Sequence, residues 1–148
     1  MTLLISELTQ ELFKPFGRIL EPLQGETPEV AEENIFKFFV IFKEFSKSWQ
    51  IGYLEQIGKY VGKIECHSTT PEVFIPLSGE TVLLLAVDPE KEIIAFKLDK
   101  PIVLNRGIWH GVISLTERSE ILIVENKDVT DEFYKLKELI SDKSLKLN

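Results

Sequence analysis

The chain carries two histidines, His67 and His110, and one cysteine, Cys66. His67 and Cys66 fall in the stretch ECHSTTPEVFIPLSG, residues 65–79, beside two carboxylates, Glu65 and Glu72. A thiol next to an imidazole suggests a nucleophile with its base. Imidazoles among carboxylates suggest another chemistry. Glu65, His67, Glu72 and His110 together offer four N and O donors to one divalent ion, such as Ni, Mn, Fe or Zn. Such an ion could hold the oxygen of a hydroxy or keto acid and stabilise developing charge. Each group also has an inert reading. Two histidines can be a hydrogen-bonded pair in a core, and two glutamates are ordinary in a chain with 24 acidic residues. A lone cysteine is often a small buried hydrophobe.

The elements that carry these residues decide between the readings. If GKIECH is a strand, Glu65 and His67 point one way and Cys66 the other, which separates the thiol from the imidazole. Pro71 and the small hydroxyl residues before it make STTP a bend, so the next strand can return Glu72 to the side of His67. Gly79 marks the following turn. In NRGIWHGVISL, Gly107 permits a tight entry to a strand that carries His110. Trp109 then faces the opposite side, which suits core packing. Ser68, Thr69 and Thr70 could touch a substrate, though such residues are common in any bend. Arg106 could contact a substrate carboxylate, or be a solvated turn residue. Phe74 and Pro76 read as wall.

From about residue 49 the pattern is one of short strands: WQIGYLEQ, GKIECH, VFIPL, TVLLLAV, EIIAFKL, PIVLN, WHGVISL and EILIVEN. Turn residues separate them, which predicts an all-β antiparallel sandwich or closed barrel. LTQELFKPFGRIL predicts a short helix capped by Thr9 and stopped at Pro15. Residues 21–34 predict a polar loop, and IFKFFVIFKEF (35–45) favours a strand. DVTDEFYKLKELISDK predicts a closing amphipathic helix, with Phe133, Leu136, Leu139 and Ile140 on one face. The tail SLKLN is expected to fray.

A length of 148 residues fits one domain, 1–148, with an apolar fraction of 44% and ten Phe to build its core. The formal net charge of -7 disfavours nucleic acid and anionic membrane as partners. One cysteine cannot close an internal disulfide, so a reducing cytoplasm is the expected setting. No run approaches a membrane span, and the first residues lack the features of a signal peptide.

The same residues resemble the cupin signature. Its first motif runs Gly, five residues, His-x-His, three or four residues, Glu, six residues, Gly. Glu65 stands at the first His, His67 at the second, Glu72 at the Glu and Gly79 at the final Gly. The places of its second motif, Pro-x-Gly-x-x-His, are held by Asn105, Gly107 and His110, of which the Gly and the His match. Within the cupins the chain is similar to the ureidoglycolate lyase (formerly hydrolase) family. LTQELFKPFGRILE, ECHSTTPEVFIPLSGETVLLLAV and GIWHGVISL match its segments in order. Cys66 stands where that family has Arg, and Glu72 near or at its Gln.

The resemblance implies a double-stranded β-helix, or jelly roll, with short N-terminal and C-terminal helices. It implies a carbon–nitrogen lyase that cleaves ureidoglycolate to glyoxylate and urea, as in allantoin and purine degradation. His67, His110 and Glu65 would be catalytic, with Glu72 as ligand, substrate contact or base and Arg106 as a substrate contact. It also implies a homodimer with a small-molecule substrate. Two other readings stay open: a metal-dependent isomerase or dioxygenase, and a non-catalytic cupin that binds a small ligand.

Overall fold

In a computed structural model, residues 2–148 are described. The first strands are β1 (Leu3–Ser6), β2 (Gly17–Ile19), β3 (Val30–Glu32) and β4 (Phe36–Phe38). The central ones are β5 (Gln50–Gln56), β6 (Tyr60–His67), β7 (Glu72–Ser78), β8 (Thr81–Ala86), β9 (Ile94–Lys97) and β10 (Ile102–Leu104). The last are β11 (Trp109–Ser114), β12 (Ser119–Glu125), β13 (Asp131–Ser141) and β14 (Leu145–Leu147). Hydrogen bonds join them into a seven-stranded sheet, β13-β6-β11-β8-β9-β1-β14, and a five-stranded sheet, β2-β10-β7-β12-β5. β3 and β4 form a separate hairpin.

The two large sheets pack face to face. Leu83, Leu85 and Phe96 of the first meet Phe74, Ile102, Leu104 and Ile121 of the second in one buried cluster. β8 explains itself: every residue of TVLLLA is buried. Leu83 and Leu85 turn to that cluster, while Val82 and Leu84 join a second one with Ile64, Ile113 and Ile140. A strand packed on both faces reads as a continuous apolar run. Phe13, Phe16 and Phe96 close one end with ring centroids 5.6–6.2 Å apart.

Three expectations change. The expected C-terminal helix is β13, which pairs antiparallel with β6 and gives that strand its second neighbour. Leu136 and Ile140 are buried, whereas Phe133 and Leu139 are exposed. Between Lys135 and Ile140 the strand advances five residues while β6 advances two, a bulge that hides the two-residue period. The larger sheet is also mixed rather than wholly antiparallel, because β1 runs parallel to both β9 and β14. The tail expected to fray is therefore paired. Thirdly, the polar loop contains β3, and of residues 35–45 only Phe36–Phe38 is strand. The expected N-terminal helix is a single turn, Gln10–Phe13, with Thr9 accepting the Leu12 N–H. Among the described residues no helix is long and apolar enough to cross a membrane.

Candidate active site

Cross-strand register brings the polar residues together in pairs. On the larger sheet His110 of β11 stands opposite Glu65 of β6, and Asp131 of β13 stands opposite His67. On the smaller sheet Glu125 of β12 stands opposite Glu72 of β7, with Gln50 of β5 beyond it. The site lies where these ends of the two sheets face each other.

The connecting turns are held by hydrogen bonds. Thr70 Oγ1 accepts the Asn126 N–H at 3.0 Å, and Thr69 Oγ1 accepts the Thr130 N–H at 3.2 Å. The bend between β6 and β7 is thus tied to the exit of β12, and its hydroxyls serve the backbone. Gly107 has φ 76, a left-handed conformation that favours glycine, and its N–H donates to the His67 carbonyl at 2.9 Å. That bond fixes the entry to β11 three residues before His110.

His67, Glu72 and His110 are 4–6% exposed, whereas the Glu65 side chain is 40% exposed. His110 Nε2 lies 3.1 Å from Glu72 Oε2 and 3.6 Å from Glu65 Oε1. His67 Nε2 lies 3.4 Å from Glu72 Oε2 and 3.9 Å from Glu65 Oε1. The other nitrogens of the two imidazoles differ. His110 Nδ1 faces the Ile108 carbonyl at 3.0 Å, and Asp131 Oδ1 lies 2.9 Å from His67 Nδ1 as an ion pair without hydrogen-bond alignment. The Ile108 carbonyl can only accept, so Nδ1 of His110 carries hydrogen and Nε2 turns inward. Phe74 packs edge-on against the His110 ring at 5.7 Å.

The charges are mutually dependent. Burial disfavours ionised Glu72, but His110 and His67 beside it hold its carboxyl far below the usual range. Burial also disfavours charged His110, but Glu65 and Glu72 raise its pKa nonetheless. Glu72 raises that of His67, and His110 lowers that of Glu65. Glu125 is pushed up by burial and then by Glu72.

The donor set fits a divalent ion. Glu72 Oε2, His110 Nε2 and Glu125 Oε2 are buried atoms without a hydrogen-bond partner. The donor atoms of Glu65, His67 and His110 lie within 4.8 Å of one another, and so do those of His67, Glu72 and Glu125. His110, with Nδ1 engaged by a backbone carbonyl and Nε2 turned inward, has the usual form of a metal-ligating histidine. Buried polar atoms that serve only the fold are ordinarily bonded.

The four expected residues Glu65, His67, Glu72 and His110 therefore converge. Arg106 does not join them, and forms an ion pair with Glu44. Cys66 faces away, its Sγ 3.4 Å from Glu132 Oε2, and burial with Glu132 pushes its thiol up to about 11. Trp109 packs on Tyr134 across the same face. Glu125 and Asp131 were not legible as site residues. Their only signal is register, which needs β12 and β13 to be placed. A cleft of about 470 Å³ opens over the cluster, lined by Glu65, His67, Glu72, Glu125, Lys127 and Asp131 among others.

Two facing sheets, the larger one mixed, with a histidine–carboxylate cluster between their ends define a cupin-like protein. The capsular polysaccharide assembling protein CapF from Staphylococcus aureus is similar, with TM-score 0.51 and 19% identity over 62% of this chain. That likeness concerns the fold, and this chain spans 27% of the length of CapF. A dTDP sugar isomerase from Desulfovibrio desulfuricans G20 aligns over 85% of this chain and 81% of its own, with 12% identity and TM-score 0.45. Comparison with curated protein sequences returns no match. The family model for ureidoglycolate lyase matches residues 1–148, the whole chain. The protein belongs to the ureidoglycolate lyase family.

Proposed function

We propose that the protein is a carbon–nitrogen lyase that splits ureidoglycolate, or a closely related small hydroxy acid, with glyoxylate and urea as the products from ureidoglycolate. The observation that carries this reading is the convergence of Glu65, His67, Glu72 and His110 beside one cleft, in a chain that matches the family throughout. The substrate is a hemiaminal, with hydroxyl and urea nitrogen on one carbon. Cleavage removes the hydroxyl proton, forms the C=O bond, breaks C–N and returns a proton to the leaving nitrogen.

Because oxygen and nitrogen share a carbon, one carboxylate can take the proton from the first and give it to the second. Glu65 suits that task. It is the cluster's most open member, lines the cleft, and is kept ionised by His110. Asp131 lies 2.9 Å from Nδ1 of His67 and adds a negative charge behind the ring. Lys127 lines the cleft and places a positive charge where the substrate carboxylate can sit, the role Arg106 was expected to play. His67 and Glu72, with other donors of the cluster, would hold a divalent ion. Such an ion would bind substrate oxygens and lower the pKa of the hydroxyl.

The test is a direct assay. Purified protein incubated with ureidoglycolate should release glyoxylate and urea in equal amounts. A chelator should stop the release, and a divalent ion should restore it. No release after loading with Fe, Mn, Ni or Zn would sink the proposal.

A further inference from the structure

The cluster contains two donor triads that share His67. Glu65 and His110 complete one, and Glu72 and Glu125 complete the other. Each has a carboxylate near the His110 imidazole, Glu65 at 3.6 Å and Glu72 at 3.1 Å, but only the second adds another carboxylate. Antiparallel register sets Glu125 directly opposite Glu72, and like charges in that position destabilise a sheet.

Gln50 donates to Glu125 Oε1 at 3.0 Å, which leaves Oε2 buried and without a partner. Glu72, only 5% exposed, has its buried Oε2 without an aligned hydrogen bond, 3.1 Å from His110 Nε2 and 3.4 Å from His67 Nε2. Two buried carboxylate oxygens without hydrogen bonds, on facing strands beside an imidazole nitrogen, are the surroundings a cation satisfies.

We propose that Glu125 is a ligand of the divalent ion, in a His67–Glu72–Glu125 set that leaves Glu65 free to move the proton. This rests on reading the cleft as a metal-assisted lyase site. It assigns Glu125 a role that the chain's motifs do not contain. It also separates two functions that would otherwise fall on Glu65.

The experiment uses Co²⁺, whose visible absorption reports its ligands without any turnover. Wild-type protein, Glu125→Gln and Glu65→Gln are each stripped, reloaded with Co²⁺, and titrated against a competing chelator. Glu125→Gln keeps the shape of the residue and the contact with Gln50. It should weaken Co²⁺ binding about 100-fold and change the absorption spectrum. Glu65→Gln should keep the affinity within about threefold while losing turnover.

Glu125→Asp, which withdraws the carboxylate by one methylene, should lie between wild type and Glu125→Gln. Should Glu125→Gln fail to fold, this variant decides, and unchanged binding in it overturns the proposal. Wild-type affinity and spectrum in Glu125→Gln would overturn it as well. So would a larger loss in Glu65→Gln, or no Co²⁺ binding by the wild type. The two proposals fail separately. Co²⁺ binding that depends on Glu125, without lyase turnover, sinks the function alone. Turnover with binding indifferent to Glu125 sinks the ligand assignment alone.

Discussion

β11 and β12 each carry polar residues at both ends, and the two ends differ. At the far end, Ser114 and Ser119 are fully buried with their hydroxyls 2.7 Å apart. Each also reaches a backbone carbonyl, Thr116 at 2.9 Å and Glu80 at 3.0 Å. Lys59 caps the same turn by donating to the Ser114 and Thr116 carbonyls. At the near end, His110 and Glu125 keep Nε2 and Oε2 without hydrogen-bond partners. One sheet edge has spent its polar groups on itself, and the other holds them in reserve. A buried unbonded polar atom costs about 1–3 kcal/mol, so several in one place suit a site that binds a ligand.

The largest effect expected from breaking this contrast is on turnover. His110→Ala should lower turnover by about 10²–10⁴-fold, because it removes the cation that keeps Glu65 ionised and the inward-facing Nε2. Ser119→Ala should do the reverse. It leaves Ser114 and the Glu80 carbonyl short of a partner and should cost about 1–3 kcal/mol of stability. Turnover per folded molecule should be unchanged. Urea denaturation and a glyoxylate assay on both variants separate the two ends. If Ser119→Ala loses turnover as His110→Ala does, the ends are not distinct.

A second prediction concerns the near end without metal. Glu72 has a folded pKa below its ordinary 4.5, so its contribution is present above that value and lost as pH falls. His67 and His110 have folded pKa values above their ordinary 6.5. Their contribution is present below 6.5 and lost as pH rises through the folded values. Glu125 opposes Glu72, since its pKa is raised. Chelated protein should therefore have its highest urea midpoint between about pH 4.5 and 6.5. A bound divalent ion replaces the protons and should move the maximum upward. A chelated protein more stable at pH 8.5 than at 5.5 would contradict this assignment of charges.

Much of this arrangement was legible before any fold. Eight strands from Gln50 to Glu125 stand where alternation and turn residues place them. The near end was half legible, because its histidines are scarce and lie at motif spacing. Glu125 and Asp131 are two carboxylates among 24, and nothing local marks them. Their partners Glu72 and His67 lie far away in sequence and are found only through register. The error at β13 has the same origin. Leu136 and Ile140 are four apart, which suits a helix, and only the bulge opposite β6 makes that spacing compatible with a strand. The pairing of β1 with β14 joins the two ends of the described chain, a contact that no local pattern announces.

The smallest expected effect is at Cys66, between Glu65 and His67 in sequence. Period-two alternation puts it on the other face, against Glu132, with its thiol pushed up to about 11. At pH 8 only about one molecule in a thousand then carries the thiolate, the form that attacks. Cys66→Ser keeps a small donor for Glu132 and should leave turnover within about twofold of wild type. A thiol-directed alkylating reagent should likewise leave the folded protein active. Inactivation by the reagent, or a large loss in Cys66→Ser, would mean that strand β6 presents its other face to the substrate. The near end would then have to be rebuilt around the thiol, since Glu65 and His67 cannot share a face with Cys66 on a regular strand.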